Sequence, residues 1–198
     1  AAVLLWTAPA AAEIRPPVAA GKFYPQDPVQ LAQAVALYLQ DARPALGRRP
    51  VALVAPHAGY LYSGQICADA YRQAAGHDFE TIVLLGTNHT QGGYDGVSIY
   101  PRGGYRTPLG VVRIDERLSD ALTGAAPLFR YEPALHAREH SIEVQIPFVQ
   151  TLFPNARIVA AIVGSPDLNL CRRFGRALAA ALKGRQALIV ASTDFSHY

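Results

Sequence analysis

Four runs of apolar residues recur along the chain, over residues 51–55, 81–85, 157–163 and 186–191. The runs are apolar throughout instead of alternating with polar residues, which is typical of strands covered on both faces. They predict four strands of a mostly parallel sheet. Residues 94–114 are richer in glycine, proline and tyrosine, and their short alternating pieces predict antiparallel strands or a hairpin inserted into the fold.

Helical patterns lie between these runs and predict four helices, over residues 28–40, 64–75, 141–153 and 167–182. The first helix has a clear start, because Asp27 is a good N-cap and Pro28 fits the first turn. Pro147 would kink the third helix or restrict it to one side of the proline. Strands that alternate with helices predict a layered α/β domain with a mostly parallel central sheet flanked by helices.

The two ends of the chain differ from the rest. Residues 1–12 join an apolar stretch to small residues with an A-x-A cleavage pattern, which predicts a signal-peptide remnant or an apolar arm. The last residues, STDFSHY, follow an apolar strand with no closing helix. We therefore expect an α/β domain over residues 13–198 that is truncated at its C-terminal end.

Composition excludes several classes of protein. The 198 residues are 51% hydrophobic and 17% charged, which suits a soluble globular protein. The net charge is +3 and the arginines are scattered, so no nucleic-acid partner is expected. No run beyond the N-terminus approaches the length of a membrane span, so no stable membrane insertion is expected. The two cysteines, Cys67 and Cys171, are too few for a disulfide framework, and we expect both to be buried.

Three histidines follow predicted strands: His57 in APHAGY, His89 in LLGTNHT and His197 in ASTDFSHY. Ligands of open α/β sheets bind outside the carboxyl ends of the strands, so these side chains should converge there, on a rim that also holds Asn88, Ser192, Thr193 and Asp194. Converging neutral imidazoles indicate metal binding or proton transfer. Two histidines with a carboxylate or thiolate are a common non-haem iron set. The alternative is that each histidine makes only a loop hydrogen bond.

A second constellation lies in LHAREHSIEVQIPF, which supplies His136, Glu139, His140 and Glu143. Glu139, His140 and Glu143 lie at helical spacings, so one helix face could carry them towards the same site. The stretch HAREH lacks the glutamate directly after the first histidine that defines the zinc-protease motif. The alternative is a helix N-terminus with solvated charge.

Five motifs, RPPVAAGKFYP, VAPHAGYLYSG, LLGTNHT, EHSIEVQIPF and ASTDFSHY, occur in an order that resembles the Memo family, also called AmmeMemoRadiSam system protein B. The resemblance runs from about Arg15 to the last residue. It implies a fold shared with class III extradiol ring-cleaving dioxygenases, which use non-haem iron(II). The resemblance also implies an intracellular location, whereas a signal peptide at the N-terminus would imply export. It further implies a functional link to radical SAM and AMME-syndrome-related proteins.

The resemblance assigns roles to individual residues. PHAGY places His57 on one metal-ligand position, and NHT places His89 on a second. TDFSHY places His197 on the position of the dioxygenases' catalytic histidine, and we expect Asp194 beside it to be catalytic as well. The third ligand position lies further along than Tyr198. The EHSIE motif is a family hallmark near the cavity.

Three functions compete at this stage. The first is an iron(II) protein with redox or oxygenase activity, with copper or zinc as other metals. The second is a non-catalytic module that binds a peptide or small ligand through residues such as Tyr60, Asn88, Glu139 and His140. Metal-dependent hydrolysis is third, because such sites usually bring more carboxylates than the single well-placed Asp194. Fold similarity alone licenses none of these activities.

Overall fold

The four apolar runs form strands of one sheet in a computed structural model of the chain, which describes residues 13–195. The expectations for residues 1–12 and for His197 lie outside these described residues. The strands are β1 (Ile14–Arg15), β2 (Ala52–Ala55), β3 (Thr81–Thr87), β4 (Val97–Ile99), β5 (Gly104–Thr107), β6 (Gly110–Arg113), β7 (Phe129–Arg130), β8 (Arg157–Val163) and β9 (Ala187–Ser192). The helices are α1 (Pro28–Asp41), α2 (Tyr60–Arg72), α3 (Glu116–Thr123), α4 (Pro133–Ala137), α5 (Ile146–Leu152) and α6 (Leu168–Ala181), with a 3₁₀ helix over Glu143–Gln145.

The central sheet has the strand order β2-β9-β3-β8-β4-β7. The four predicted strands are its neighbours β2, β9, β3 and β8, and they pair in parallel. Strand β4 pairs antiparallel with β8, and β7 pairs in parallel with β4, so these two strands run opposite to the other four. The prediction of a layered α/β domain with a mostly parallel sheet is confirmed, and three strand ends that carry site residues, those of β2, β9 and β3, are adjacent.

The middle of the chain forms the predicted hairpin. Strands β5 and β6 pair antiparallel, with Tyr105 opposite Val112. They belong to a separate three-stranded sheet, because β1 adds to β5 in parallel. This pairing brings the segment that begins at residue 14 beside the hairpin, and it places Arg15 next to Tyr105.

The helices follow the predicted caps. Asp27 accepts hydrogen bonds from the N–H groups of Val29 and Gln30, as expected for the N-cap of α1. Residues 141–153 do not form one helix. Pro147 lies in the first turn of α5, where its missing N–H costs nothing, and the 3₁₀ helix precedes it. Helix α2 begins at Tyr60, four residues earlier than predicted.

Apolar side chains cover the two faces of the sheet unequally. One core cluster packs α1, α2 and α5 against Ile82, Leu84 and Val190. The other packs α3 and α6 against Val83 and Val159. Alternate residues of β3 therefore face opposite layers, which explains why its sequence is apolar throughout.

Two further expectations can be judged from these residues. Cys67 is buried as expected, but Cys171 is exposed, because it lies on the outer side of the first turn of α6. No helix within residues 13–195 is long and apolar enough to span a bilayer.

Candidate metal centre

Three histidine rings meet at the carboxyl ends of the sheet. His57 lies two residues after β2, His89 lies two residues after β3, and His140 comes from the loop between α4 and the 3₁₀ helix. The ring centroids of His57 and His89 are 5.1 Å apart, those of His57 and His140 are 5.6 Å apart, and those of His89 and His140 are 4.6 Å apart. One ring nitrogen from each histidine lies within 4.8 Å of the other two.

Asp194 shapes the turn that carries His57. Its Oδ1 accepts the backbone N–H of His57 at 2.5 Å and that of Ala58 at 3.0 Å, and its Oδ2 lies 3.8 Å from Nε2 of His57. Burial lowers the pKa of His57 to about 4, although the charge of Asp194 acts in the opposite direction. His57 is therefore neutral at pH 7, as a metal ligand must be.

A buried carboxylate, that of Glu139, organises the other two histidines. Its Oε1 accepts Nδ1–H of His89 at 2.9 Å and the backbone N–H groups of His140 and Ser141, and its Oε2 accepts the backbone N–H of His89 at 2.8 Å. Burial acts to raise the pKa of Glu139, but the bonds from His89 and Ser141 outweigh it and lower the pKa to about 2. Because a carboxylate only accepts, the neutral ring of His89 is held with its proton on Nδ1 and its lone pair on Nε2.

The cluster opens to solvent on one side. The side chain of His57 is 1% exposed, whereas those of His89 and His140 are 27% and 20% exposed. The ring of Phe23 packs against His140, with 4.3 Å between the centroids. The hydrogen bond to Glu139 raises the pKa of His89, while burial lowers that of His140. A ligand from solvent would thus reach the site past His89 and His140.

Two predicted binding residues have other partners. Asn88 folds its own loop, because its Oδ1 accepts the N–H groups of Thr90 and Gln91 and its Nδ2 donates to the carbonyl of Gln91. Tyr60 is 4% exposed, and its hydroxyl donates to the carbonyl of Val144. The tyrosine therefore belongs to the core, where its hydroxyl holds α2 to the segment before α5.

The expectation that one helix face carries the second constellation is wrong. Helix α4 ends at Ala137, and the carboxylate of Glu139 binds the next N–H groups in a turn. His136 therefore lies away from the site, with its Nδ1 near the Tyr105 hydroxyl at 2.7 Å. The alternative of solvated charge is also wrong, because Glu139 and Glu143 are both buried.

Glu143 has a different task, which is to fasten the N-terminal segment. Its carboxylate pairs with Arg15 at 2.6 Å, accepts the hydroxyl of Tyr24 at 2.6 Å, and accepts the N–H groups of Val18 and Ala19. This one buried side chain thereby fixes the segment that brings Phe23 against His140. Its role is structural support of the site's wall.

Three further residues support the site, and of these the sequence places only Ser192 at the strand ends. Ser192 contacts Nδ1 of His57 through its hydroxyl at 3.0 Å. Ser141 and Gln145 in turn contact that hydroxyl. Ser141 and Gln145 are of common residue types and lie far from Ser192 along the chain, so only the folded structure connects them to the site.

A cavity of about 1200 Å³ lies at the opposite end of the strands, lined by residues that include Thr81, Asp115, Arg157 and Arg185. The carboxylate of Asp115 is already bound, by Arg185 at 2.5 Å and by the hydroxyl of Thr81 at 2.7 Å. The positive and negative side chains that line this cavity balance each other, and none of the clustered histidines lines it. The clustered histidines lie at the carboxyl ends instead.

The histidine cluster fits a first-row metal ion. Bonds of about 2.0–2.1 Å from a metal to imidazole place tetrahedral donor atoms about 3.4 Å apart. Nitrogens within 4.8 Å reach that separation by small ring movements. Imidazole is a good ligand for iron, copper and zinc, and Glu139 supplies the carboxylate–histidine contact usual behind such ligands.

The chain is similar to known proteins of one family. A family model described as "Memo-like protein" matches residues 15–198. A MEMO1 family protein of Methanothermobacter thermautotrophicus is 37% identical over 195 residues, which covers 93% of this chain and 70% of the relative. One from Pyrobaculum aerophilum is 36% identical, with 93% and 69% covered. One from Aquifex aeolicus is 38% identical, with 93% and 68% covered.

Proposed function

Because this chain belongs to the Memo-like protein family, we propose that it is a metal-binding protein that holds iron(II) between His57 and His89 for redox chemistry. The convergence of three imidazoles at the carboxyl ends of the strands carries the proposal. The resemblance favours iron(II), and the same donors suit copper or zinc. The bound metal would supply an open position for dioxygen or an anionic substrate and a change of oxidation state.

The residues around the metal would have separate tasks. His57 and His89 hold the ion, and His140 is placed as a third nitrogen donor on the solvent side. Glu139 orients His89 and offsets part of the positive charge of the ion. We assign proton transfer to His197 and Asp194, since Asp194 already lies against the turn of His57.

Anaerobic iron(II) loading tests this proposal. We expect one iron per chain in the wild type and loss of iron in the His57→Ala, His89→Ala double variant. A His140→Ala variant should bind more weakly than the wild type but better than the double variant. The matched control is His77→Ala, which lies in the cavity at the opposite end of the sheet and should keep its iron. Unchanged iron content in the double variant would refute the proposal.

A second function is supported by exposed side chains beside the cluster. Leu61 and Tyr62 lie in the first turn of α2, shortly after the turn of His57, and their side chains are 85% and 83% exposed. Together with Phe23 they offer an apolar rim for a peptide or small ligand. A binding module of this kind should keep its ligand in chelator, whereas the metal protein should lose it.

A further inference from the structure

We propose that Ser192 is a positioning residue that holds His57 with its proton on Nδ1, so that Nε2 faces the metal. The inference rests on the proposed function only for the metal, since the tautomer is a property of the metal-free protein. It follows from hydrogen bonds whose direction is fixed by chemistry. Each chain of bonds begins at a group that can only accept or only donate.

The hydroxyl of Ser192 has a single proton, and a carbonyl receives it. Its Oγ lies 2.7 Å from the carbonyl oxygen of Ser141, which can only accept. Gln145 fills one lone pair of Oγ, because its Nε2 lies 2.9 Å away. The orientation of this amide is fixed as well, since the same nitrogen donates to the carbonyl of Pro56 at 2.8 Å.

Ser192 therefore offers His57 only a lone pair. Its Oγ lies 3.0 Å from Nδ1 of His57, so the ring must donate from Nδ1 and carry its lone pair on Nε2. Asp194 favours the other tautomer, because its Oδ2 would attract a proton on Nε2. That oxygen is 3.8 Å from Nε2, beyond hydrogen-bond distance, whereas Nδ1 lies within hydrogen-bond distance of an oxygen that can only accept, so the contact with Ser192 favours the proton on Nδ1.

Removing the hydroxyl should reverse this choice. In a Ser192→Ala variant the amide N–H of Gln145 loses its acceptor, and Nδ1 of His57 loses the lone pair that holds its proton. Nδ1 becomes the acceptor, and the proton moves to Nε2 beside Asp194. A proton on Nε2 blocks the metal, and loss of such an outer contact typically weakens metal binding 10–100-fold.

Nitrogen-15 NMR of the histidine rings tests the inference in metal-free protein at pH 7.5. We expect a protonated Nδ1 for His57 in the wild type and in Ser192→Thr, which keeps the hydroxyl. In Ser192→Ala we expect protonated Nε2 to dominate. The matched control is Ser119→Ala, another buried serine, whose hydroxyl makes no hydrogen bond within the described part of the chain. It should leave the ring signals unchanged.

Zinc titration against a chelator supplies the second readout. We expect Ser192→Ala to bind Zn²⁺ 10–100-fold more weakly than the wild type, with Ser192→Thr close to the wild type. A wild-type His57 with its proton on Nε2, or an unchanged tautomer in Ser192→Ala, would overturn the inference. If the tautomers behave as expected but no variant, the wild type included, binds zinc or iron, the proposed function fails and the role of Ser192 stands.

Discussion

Mild acid should destabilise the fold through one buried histidine, His136. Its Nδ1 lies 2.7 Å from the hydroxyl of Tyr105 and its Nε2 lies 3.0 Å from Oγ of Ser98, and the residue is 1% exposed. Burial, aided by the positive charge of Arg15, lowers the pKa of His136 from 6.5 to about 3. The neutral ring is therefore part of the native structure.

The sign and size of the effect follow from proton linkage. Between pH 6.5 and about pH 3 the unfolded chain binds a proton at His136 and the folded chain does not, so stability falls as the pH falls. A difference of one bound proton between the two states changes the free energy of unfolding by about 1.4 kcal/mol per pH unit. From pH 6.5 to pH 5 the loss is thus about 2 kcal/mol from this residue, a large part of a typical stability.

A glutamine at position 136 isolates this contribution. Its amide can accept from Tyr105 and donate to Ser98 but does not titrate, and the other histidines cancel when the two proteins are compared. Urea unfolding of metal-free wild type and His136→Gln at pH 7 and pH 5 measures the difference. We expect the wild type to lose about 2 kcal/mol more than the variant over this interval. Equal losses, with unchanged urea slopes, would refute the buried neutral ring.

Two further substitutions test how the site is supported. Arg15→Ala and Glu143→Ala should each lower the free energy of unfolding, measured in urea, by about 3–5 kcal/mol, because either change leaves a buried charge without its partner. The double variant should lose less than the sum of the two single losses. Additive losses would contradict a coupled pair. Gly86→Ala should lower the free energy of unfolding by about 1–3 kcal/mol, because the added methyl would lie 2.7 Å from Oγ of Ser141. The control is Gly175→Ala in α6, where the added methyl meets open space, and this change should be neutral or stabilising. Equal effects of the two substitutions would contradict the close approach at Gly86.

The sequence predicted the parts of the site that depend on strand ends. Four apolar runs were enough to place His57, His89 and Asp194 at one edge, because the carboxyl ends of parallel neighbours meet there. The order β2-β9-β3 then sets their spacing. This prediction succeeds because the period of the apolar residues and the lengths of the connections can be read directly from the sequence.

The segment over residues 139–145 could not be predicted in the same way. Its residues lie at helical spacings, but Glu139 binds the N–H groups that a helix would use, and the chain turns instead. That choice depends on a partner 50 positions away, His89, whose ring and backbone the same carboxylate accepts. The spacing of residues depends only on neighbours in the sequence, so it could not distinguish a helix from a turn that is stabilised by a distant residue.

The same segment joins the two histidines of the proposed metal site into one unit. Glu139 orients His89, while the carbonyl of Ser141, two residues later, orients Ser192 and through it His57. Each imidazole thus depends on an acceptor in this short turn, and the turn is held to β3 by Ser141 at Thr87. A substitution that shifts the turn should disturb both ligands together, so metal affinity should respond to residues 139–141 more steeply than either contact alone would require.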